Sequence, residues 1–202
     1  MLITIEGIDG SGKSSLITAL KHSLSDLAPV FTREPGATWI GEPVRRAIAE
    51  RVDPVAEALL FAADHAAHLA SVVRPALEEG NIVISDRFTD SRFAYQAVTL
   101  QGILPDPKSW LAAVHEGWSM RPDRTFLLIV PVEEAVRRIS GGMLEHFERA
   151  DVLEKVQAEY LARVDNDPGR FVLIDAMKEK EEIAGFVAGE IRALAMLQSR
   201  RH

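Results

Sequence analysis

Residues 7–14 read Gly-Ile-Asp-Gly-Ser-Gly-Lys-Ser, which fills every fixed position of the phosphate-binding P-loop pattern. A short apolar run at residues 2–5 precedes this loop, and a helical pattern begins at Lys13. The glycines of such a loop let backbone N–H groups turn inward around a polyphosphate, and the following helix directs its N-terminus at the same anion. Lys13 is expected to reach the β- and γ-phosphates, and the Ser14 hydroxyl is expected to ligate Mg²⁺. The sequence therefore predicts an α/β fold that binds a nucleotide.

The composition is typical of a soluble enzyme. The chain has 202 residues, of which 47% are apolar, and it contains no apolar run long enough to span a bilayer. Because the P-loop begins at Gly7, we expect no signal segment before it. The chain has no cysteine, which excludes disulfides, and its net charge of -7 argues against a nucleic-acid groove. We therefore expect a cytoplasmic protein that binds neither membrane nor nucleic acid and recognises anions through locally placed arginines and lysines.

Helical and strand patterns alternate along the chain. Helices are predicted at residues 13–27, 41–50, 54–79 and 132–139, with Pro75 expected to perturb the third. Five apolar runs are typical of buried strands, at residues 2–5, 29–32, 82–85, 126–130 and 171–174. Such strands separated by helices favour a parallel sheet that is covered on both faces. The prediction is one doubly wound α/β domain, residues 1–202, with a sheet of five parallel strands.

Charged residues follow two of the predicted strands, at the sheet edge where such folds bind ligands. Arg33 and Glu34 come after the second strand, and Asp86 and Arg87 come at the end of the third. With the P-loop they supply the charges that phosphoryl transfer between two anionic substrates requires. Either arginine alone could equally form a surface ion pair, but both stand at strand ends beside a P-loop. The pattern therefore favours a phosphotransferase site.

The order and spacing of several motifs resemble the thymidylate kinase family over nearly the whole chain. The motifs are the P-loop at residues 7–15, Thr-Arg-Glu-Pro-Gly at 32–36, Leu-Leu-Phe-Ala-Ala-Asp at 59–64, and Asp-Arg-Phe at 86–88 followed by Ser91 and by Ala-Tyr-Gln at 94–96. The P-loop is generic, whereas the second and fourth motifs are specific. The resemblance implies a nucleoside monophosphate kinase with a small lid inserted at about residues 140–149. It also implies Mg²⁺-dependent transfer of the γ-phosphoryl of ATP to dTMP, giving dTDP and ADP for dTTP synthesis.

The resemblance implies a role for each residue that contacts phosphate. The nucleotide loop comprises Gly7, Ile8, Asp9, Gly10, Ser11, Gly12, Lys13, Ser14 and Ser15. Asp9 would lie near the phosphate acceptor, and Arg33 would hold the acceptor's monophosphate. Asp86 and Arg87 would lie at the junction between the phosphates and the metal.

The resemblance also implies which residues contact the nucleoside and the metal. Phe61 would stack on thymine, Tyr95 would pack on the deoxyribose and disfavour a 2′-hydroxyl, and Gln96 would support the base pocket together with Ser91. The residues expected to serve Mg²⁺ are Ser14, Asp86 and Glu34, with Glu34 acting through metal-bound water.

Two positions that face the base depart from the family pattern. The family commonly has an arginine one helical turn after the stacking Phe61, where this chain has His65. A neutral imidazole lacks the permanent charge and forked donors of arginine. The position after Ser91 is usually small and polar, and here it is Arg92. Our hypothesis is that Arg92 reaches the base edge from the opposite wall and compensates for His65. In the alternative, Arg92 points to solvent and His65 only packs.

The lid is a third departure. Members with glycine at the position of Gly10 usually carry a catalytic arginine in the lid, and residues 140–148 contain none. Arg137, Arg138 and Arg149 flank this segment, and Arg138 is the favoured substitute. The expected catalytic residues are therefore Asp9, Lys13, Arg33, Asp86, Arg87 and Arg138.

Two alternatives to a thymidylate kinase stay open from the sequence. The changes at His65 and Arg92 allow another nucleoside monophosphate, such as dUMP, as the acceptor. The other alternative is a non-catalytic ATP-binding module, against which the retained charged residues at the P-loop and strand ends argue. The resemblance further implies a homodimer packed through helices. The alanine-rich face at residues 56–70 could form that interface or could equally be buried within one subunit.

Overall fold

A five-stranded parallel sheet forms the centre of the structure, a computed structural model that describes residues 1–139 and 147–199. Its strands are β1 (Leu2–Glu6), β2 (Val30–Arg33), β3 (Val83–Asp86), β4 (Arg124–Ile129) and β5 (Phe171–Asp175). They lie in the order β2-β3-β1-β4-β5, and each neighbouring pair is parallel. The five strands predicted from the sequence are confirmed, as is the doubly wound α/β architecture.

Helices flank this sheet and connect its strands. They are α1 (Lys13–Ser23), α2 (Gly41–Glu50), α3 (Pro54–His68), α4 (Arg74–Glu78), α5 (Thr89–Thr99), α6 (Pro107–His115), α7 (Val132–Ile139), α8 (Ala150–Asn166) and α9 (Lys180–Ser199). The helices predicted at residues 41–50 and 132–139 are confirmed as α2 and α7. Parallel neighbours require crossover connections, and the helices provide them.

The first predicted helix, at residues 13–27, is shorter than expected. Helix α1 ends at Ser23, because Leu24 leaves helical backbone geometry. A single 3₁₀ turn then covers Ser25–Leu27. The apolar face that predicted the longer helix still packs inward, since Leu24 is fully buried.

The helix predicted at residues 54–79 is divided into three parts. Helix α3 is followed by a wider π-helical turn at Leu69–Val73, after which α4 begins. Pro75 comes directly after this wider turn, in the first turn of α4, and has no backbone N–H to donate to the preceding turn. The perturbation expected near Pro75 is therefore confirmed.

The strand register brings the predicted site residues to one edge of the sheet. Asp86 on β3 pairs with Ile5 of β1 on one side and with Arg33 of β2 on the other. Parallel strands end at the same edge, so the segments that follow these three strands are neighbours. Strand β1 is buried along its whole length between β3 and β4, which gives the P-loop a rigid starting point.

Two further predictions concern parts of the chain beyond the sheet. The predicted lid falls largely on residues 140–146, which lie outside the described residues. Within residues 1–139 and 147–199, no helix is both long and apolar enough to cross a lipid bilayer.

Candidate active site

The P-loop joins the buried strand β1 to helix α1. Gly10 and Gly12 have φ angles of 77° and 99°, in the left-handed region that residues with a Cβ rarely adopt. A Cβ at Gly10 would also lie 2.3 Å from the carbonyl oxygen of Ala135, so the loop packs directly against α7. The two glycines therefore let the backbone curl tightly at the N-terminus of α1, where an anion is favoured.

Lys13 lies within this loop, and its ammonium group faces the loop's own backbone. Its Nζ atom donates to the carbonyl oxygens of Gly7 (3.1 Å) and Ile8 (2.9 Å). Burial and the nearby charge of Arg87 lower the pKa of Lys13 to about 8. Lys13 is thus a buried cation at a position where a bound polyphosphate would stabilise its charged form.

Two adjoining cavities open at this edge of the sheet. The P-loop cavity, of about 720 Å³, is lined by residues 9–16, α7 and the segment that leads into α9. The α5 cavity, of about 250 Å³, lies between α2, α3 and α5. The residues that line both cavities are Asp9, Arg33, Glu34, Pro35 and Arg87. Among the described residues, a group that contacts ligands in both cavities would therefore come from this shared set.

Arg87 stands at the junction of the two cavities. Its backbone has a φ of 64°, which turns the chain sharply at the end of β3. Its guanidinium group donates to the carbonyl oxygen of Gly7 (3.0 Å), the hydroxyl of Ser91 (3.1 Å) and the hydroxyl of Tyr95 (3.2 Å), and it forms an ion pair with Asp9. These contacts fix one cation between the P-loop and α5.

Asp9 is the carboxylate of this junction. It accepts a hydrogen bond from the hydroxyl of Tyr95 (2.7 Å) as well as from Arg87. Burial by itself raises the pKa of Asp9, but the charges of Arg87 and Lys13 outweigh burial and lower that pKa to about 2. Asp9 is therefore ionised at neutral pH and orients the two side chains that line the α5 cavity beside it.

Asp86 and Ser14 provide oxygen atoms that suit a magnesium ion. Both residues line the P-loop cavity. The Oδ1 atom of Asp86 is buried and has no hydrogen-bond partner in the described part of the chain. Within that same part, no group of three or more histidine, cysteine, aspartate or glutamate residues could hold a metal. A single carboxylate and a hydroxyl fit Mg²⁺, which keeps several waters and binds substrate phosphates rather than a protein cage.

Arg33 and Arg45 lie on either side of Gly36 and line the α5 cavity. A Cβ on Gly36 would lie 2.5 Å from Nη1 of Arg45 and 3.6 Å from Nε of Arg33. Two guanidinium groups beside the same glycine suit an anionic phosphate. Arg45 was not predicted from the sequence, because its neighbour Arg46 carries the same charge. In the structure Arg46 is 76% exposed and forms an ion pair with Glu50. Only the rotation of α2 distinguishes the two arginines.

The predicted nucleoside residues lie together in the α5 cavity. Its walls include Phe61, Ser91, Arg92, Tyr95 and Gln96, with Ile48 and Phe147 added by the structure. Helix α5 supplies four of the predicted residues, because positions 91, 92, 95 and 96 follow the i, i+1, i+4, i+5 spacing of one helix face. The arrangement leaves a small pocket with aromatic walls and polar side chains at one end.

Glu34 lines both cavities and is also the centre of a buried group of hydrogen bonds. Its carboxylate accepts hydrogen bonds from Nδ1 of His65 (2.7 Å) and Nδ1 of His68 (2.6 Å) on one oxygen atom and pairs with Arg92 on the other. Burial raises the pKa of Glu34, but the charges of Arg92 and His65 and the histidine hydrogen bonds outweigh it and hold the pKa well below the usual value. The carboxylate is therefore ionised and is bound to His65, His68 and Arg92 at the wall of the α5 cavity.

His65 differs from its expected position at the base. It is fully buried and is not among the described residues that line the α5 cavity. Its ring packs edge-on against Phe88 with a centroid distance of 4.6 Å, and its Nε2 atom lies 2.9 Å from the hydroxyl of Ser119. Burial lowers the pKa of His65 despite the nearby Glu34 carboxylate. The ring is therefore a neutral part of the wall behind Glu34.

The arginines that flank the lid differ in what they contact. Arg138 lies against the P-loop, with Nη1 3.4 Å from the carbonyl oxygen of Gly10, and it also pairs with Glu134. Arg137 pairs with the same glutamate and is 73% exposed. Arg149 pairs with Asp151 and is 68% exposed. Arg137 and Arg138 both line the P-loop cavity, and of these two Arg138 is the one that contacts the P-loop backbone.

Glu6 is a buried polar residue that sequence reasoning passed over. Its carboxylate accepts hydrogen bonds from the backbone N–H of Phe88 (2.8 Å), the hydroxyl of Ser91 and the hydroxyl of Tyr160 (2.9 Å). Burial, with the nearby Asp90 carboxylate, raises the pKa of Glu6 to about 7. The sequence did offer a sign of this buried carboxylate, since Glu6 is a charged residue at the end of a mostly apolar strand. Glu6 ties β1 to the N-terminus of α5 and to α8.

A P-loop at the end of the central strand of a parallel sheet, facing two adjoining cavities that share an arginine–aspartate pair, defines a P-loop phosphotransferase of the nucleoside monophosphate kinase type. The family model described as thymidylate kinase matches residues 5–187. The chain belongs to the thymidylate kinase family.

Relatives agree with this assignment over the full length of the chain. A protein of Methanoculleus marisnigri is 65% identical over 202 residues, which cover 100% of this chain and 98% of the relative. Relatives from Methanocorpusculum labreanum and Methanospirillum hungatei are each 60% identical, over 96% and 94% of this chain and 98% and 92% of their own lengths. All three carry the name "Probable thymidylate kinase".

Proposed function

We propose that this chain transfers the γ-phosphoryl group of ATP to dTMP, giving dTDP and ADP. The observation that carries the proposal is the position of Arg87, which is held by Asp9 where the P-loop cavity and the α5 cavity meet. Phosphoryl transfer needs a fixed positive charge between donor and acceptor phosphates, because catalysis there rests on positioning and charge stabilisation.

The P-loop cavity would hold ATP. The triphosphate would lie on the loop at the N-terminus of α1, with Lys13 turning from its backbone contacts to the β- and γ-phosphates. Arg138, beside Gly10, would add charge at the same end of the cavity.

The α5 cavity would hold dTMP. Its phosphate would lie between Arg33 and Arg45, and its base would lie against Phe61. Tyr95 would pack on the deoxyribose. Its hydroxyl is held by Asp9, so the ring has a fixed position at the sugar.

Magnesium would be held by Ser14 and Asp86 together with phosphate oxygens and water. Its contribution when bound is to neutralise negative charge on the donor phosphates. Glu34 lines the P-loop cavity and would act through metal-bound water, while its carboxylate also binds His65, His68 and Arg92.

The transfer step needs little from the protein besides position and charge. A phosphate oxygen of dTMP attacks the γ-phosphorus, a new P–O bond forms there, and the bond to the β,γ-bridging oxygen breaks. A phosphate monoester is largely dianionic near pH 7, with a second pKa of about 6, so its attacking oxygen carries no proton that must be removed. Lys13 and Arg87 would stabilise the charge that builds up on the moving group.

A coupled assay of ADP release tests this function. The purified protein, with ATP and Mg²⁺, is given dTMP, dUMP, dCMP, dGMP, dAMP or thymidine. We expect the highest kcat/KM with dTMP and no turnover of thymidine, which lacks the phosphate that the two arginines bind. ADP release that is independent of every acceptor would contradict the proposal.

The two alternatives from the sequence, a kinase for another monophosphate and a non-catalytic ATP-binding module, are not favoured by the family match. We also propose that the enzyme works in the cytoplasm and forms a homodimer. The exposed side chains Ala56, Leu59 and Ala63 on α3 recur at helical spacing and would supply part of that interface. Light scattering of the purified chain measures the mass, and a value for a single subunit would contradict the dimer.

A further inference from the structure

Behind the α5 cavity lies a buried cluster formed by Glu34, His65, His68 and Arg92, which we call the Glu34 cluster. Each of its members is at most 4% exposed. They come from the loop after β2, from α3 and from α5. One carboxylate thus serves three donors at the meeting point of three separate segments.

In this cluster the side chains of His65, His68 and Arg92 donate hydrogen bonds, and the Glu34 carboxylate accepts them. A carboxylate only accepts, so Nδ1 of both His65 and His68 must carry the proton in their contacts with Glu34. Because His65 is neutral, its Nε2 atom accepts from the hydroxyl of Ser119. The Nε2 atom of His68 lies 2.6 Å from the hydroxyl of Thr32. The histidines therefore fix the carboxylate from behind and leave its second oxygen for Arg92.

Arg92 and Glu34 are the members of the cluster that line the α5 cavity. Arg92 does so although it is only 2% exposed, and its guanidinium carbon lies 5.6 Å from the centroid of the Phe61 ring. Its Nη2 atom contacts Glu34, whereas its Nε atom is buried and meets no acceptor in residues 1–139 or 147–199. A buried donor of this kind costs free energy unless a ligand supplies an acceptor. The alternative in which Arg92 points to solvent is therefore contradicted.

We propose that Arg92 selects an oxo-pyrimidine as the acceptor base and that Glu34 is the positioning residue that holds it. The inference rests on the proposed function, in which the base lies against Phe61. A guanidinium group only donates hydrogen bonds, so it pairs with a carbonyl oxygen and opposes an exocyclic amine. Gln96, also in this cavity, carries both a donor and an acceptor and can turn to suit either base. The discrimination between oxo and amino bases thus falls on Arg92.

The first test compares dUMP with dCMP, whose bases differ at C4, which carries an oxo group in uracil and an amino group in cytosine, and at N3, which carries a proton only in uracil. We expect the wild type to favour dUMP in kcat/KM. Arg92→Met should lower the dUMP-to-dCMP ratio by about tenfold or more, since the oxo group loses its donor and the amine loses an opposing charge. The dTMP-to-dUMP ratio, which reports the methyl group, and the KM for ATP should both stay within about twofold. Arg46→Met, at the exposed arginine of α2, is the matched control and should leave every ratio unchanged.

The second test asks whether Glu34 acts through Arg92. Glu34→Gln keeps the size of the side chain but removes the charge that anchors the guanidinium, so the dUMP-to-dCMP ratio should fall in the same direction. The double variant should be no worse in this ratio than Arg92→Met alone, because the anchor has nothing left to hold. Glu50→Gln, at an exposed glutamate, is the control for the loss of charge. Additive effects of the two substitutions on the ratio would contradict the positioning role.

The outcomes separate this inference from the proposed function. A wild type that phosphorylates dTMP, with an unchanged dUMP-to-dCMP ratio in Arg92→Met, would overturn the inference alone. A wild type that phosphorylates no pyrimidine nucleotide would overturn the proposed function, and calorimetric binding of dUMP and dCMP would then decide the role of Arg92. Arg92→Lys serves if the methionine variant does not fold, since it keeps the charge but lacks the Nε donor and should show a smaller loss in the ratio.

Discussion

His65 and Arg92 bind different oxygen atoms of the same buried carboxylate, that of Glu34. Position 65 lacks the arginine that the family commonly has, and position 92 has an arginine where the family usually has a small polar residue. The structure connects the two positions through the Glu34 carboxylate and not across the base. Only Arg92 reaches the α5 cavity, while His65 supports Glu34 from the side away from it. The compensation at the base that the sequence suggested stays a prediction.

Lys13→Ala should lower kcat by ~10²-fold or more at saturating ATP and Mg²⁺, because the developing phosphate charge loses a buried charge-assisted contact. Steady-state ADP release measures the effect. Lys21→Ala, at an exposed lysine farther along α1, should retain near-normal kcat. Equal activity of the two variants would contradict the assignment of the P-loop.

Arg33→Lys should raise the KM for dTMP by about tenfold, because a single ammonium group cannot reproduce the paired donors of a guanidinium group on phosphate. Initial rates at varied dTMP measure this, and the KM for ATP should change much less. Arg46→Lys, on the solvent side of α2, is the matched control. An unchanged dTMP KM, or phosphorylation of thymidine, would move Arg33 out of the acceptor site.

Arg138→Ala should lower kcat by tenfold or more, which corresponds to ~1.4 kcal/mol of transition-state stabilisation. The reason is its position against Gly10, from which a small movement brings its charge to the γ-phosphoryl group. Arg137→Ala and Arg149→Ala remove exposed side chains that pair with Glu134 and Asp151, so both should keep kcat within about threefold. If kcat fell for Arg137→Ala or Arg149→Ala and not for Arg138→Ala, the residue at the affected position would be the one that replaces the missing lid arginine.

Glu6→Gln should flatten the pH dependence of stability between pH 5 and pH 8. Folding raises the pKa of Glu6 from 4.5 to about 7, so the folded state holds this proton more tightly than the unfolded state. That contribution is fully present below pH 4.5 and is lost as the pH rises through about 7. Each tenfold change in proton affinity corresponds to about 1.4 kcal/mol. The free energy of unfolding of the wild type should therefore fall by up to roughly 3 kcal/mol as the pH rises through this range.

Urea unfolding at several pH values measures the Glu6 effect. The free energy of unfolding of the wild type should fall toward pH 8 relative to that of Glu6→Gln. Glu50→Gln, at an exposed position, should follow the wild type. Parallel curves for Glu6→Gln and the wild type would show that Glu6 keeps its ordinary pKa in the folded protein.

The alternation of apolar runs and helical patterns predicted all five strands, because strands of a parallel sheet that is covered by helices are rich in apolar residues, at the partly exposed edge strands β2 and β5 as well. Helix ends were predicted less well. The apolar face that includes Leu24 continues past the end of α1, since the 3₁₀ turn at Ser25–Leu27 follows directly. Periodicity reports which residues face the core and does not report where the backbone changes from one helical form to another.

The sequence by itself determined the P-loop, the parallel sheet and the charged residues Arg33, Asp86 and Arg87 at the strand ends, because these depend on local pattern and on the shared edge of parallel strands. The tertiary structure alone decided that Glu34 binds His65, His68 and Arg92, which lie 31, 34 and 58 residues away along the chain. Ion pairs between distant segments depend on how α3 and α5 are rotated against the sheet, and that rotation is set by packing of the whole core.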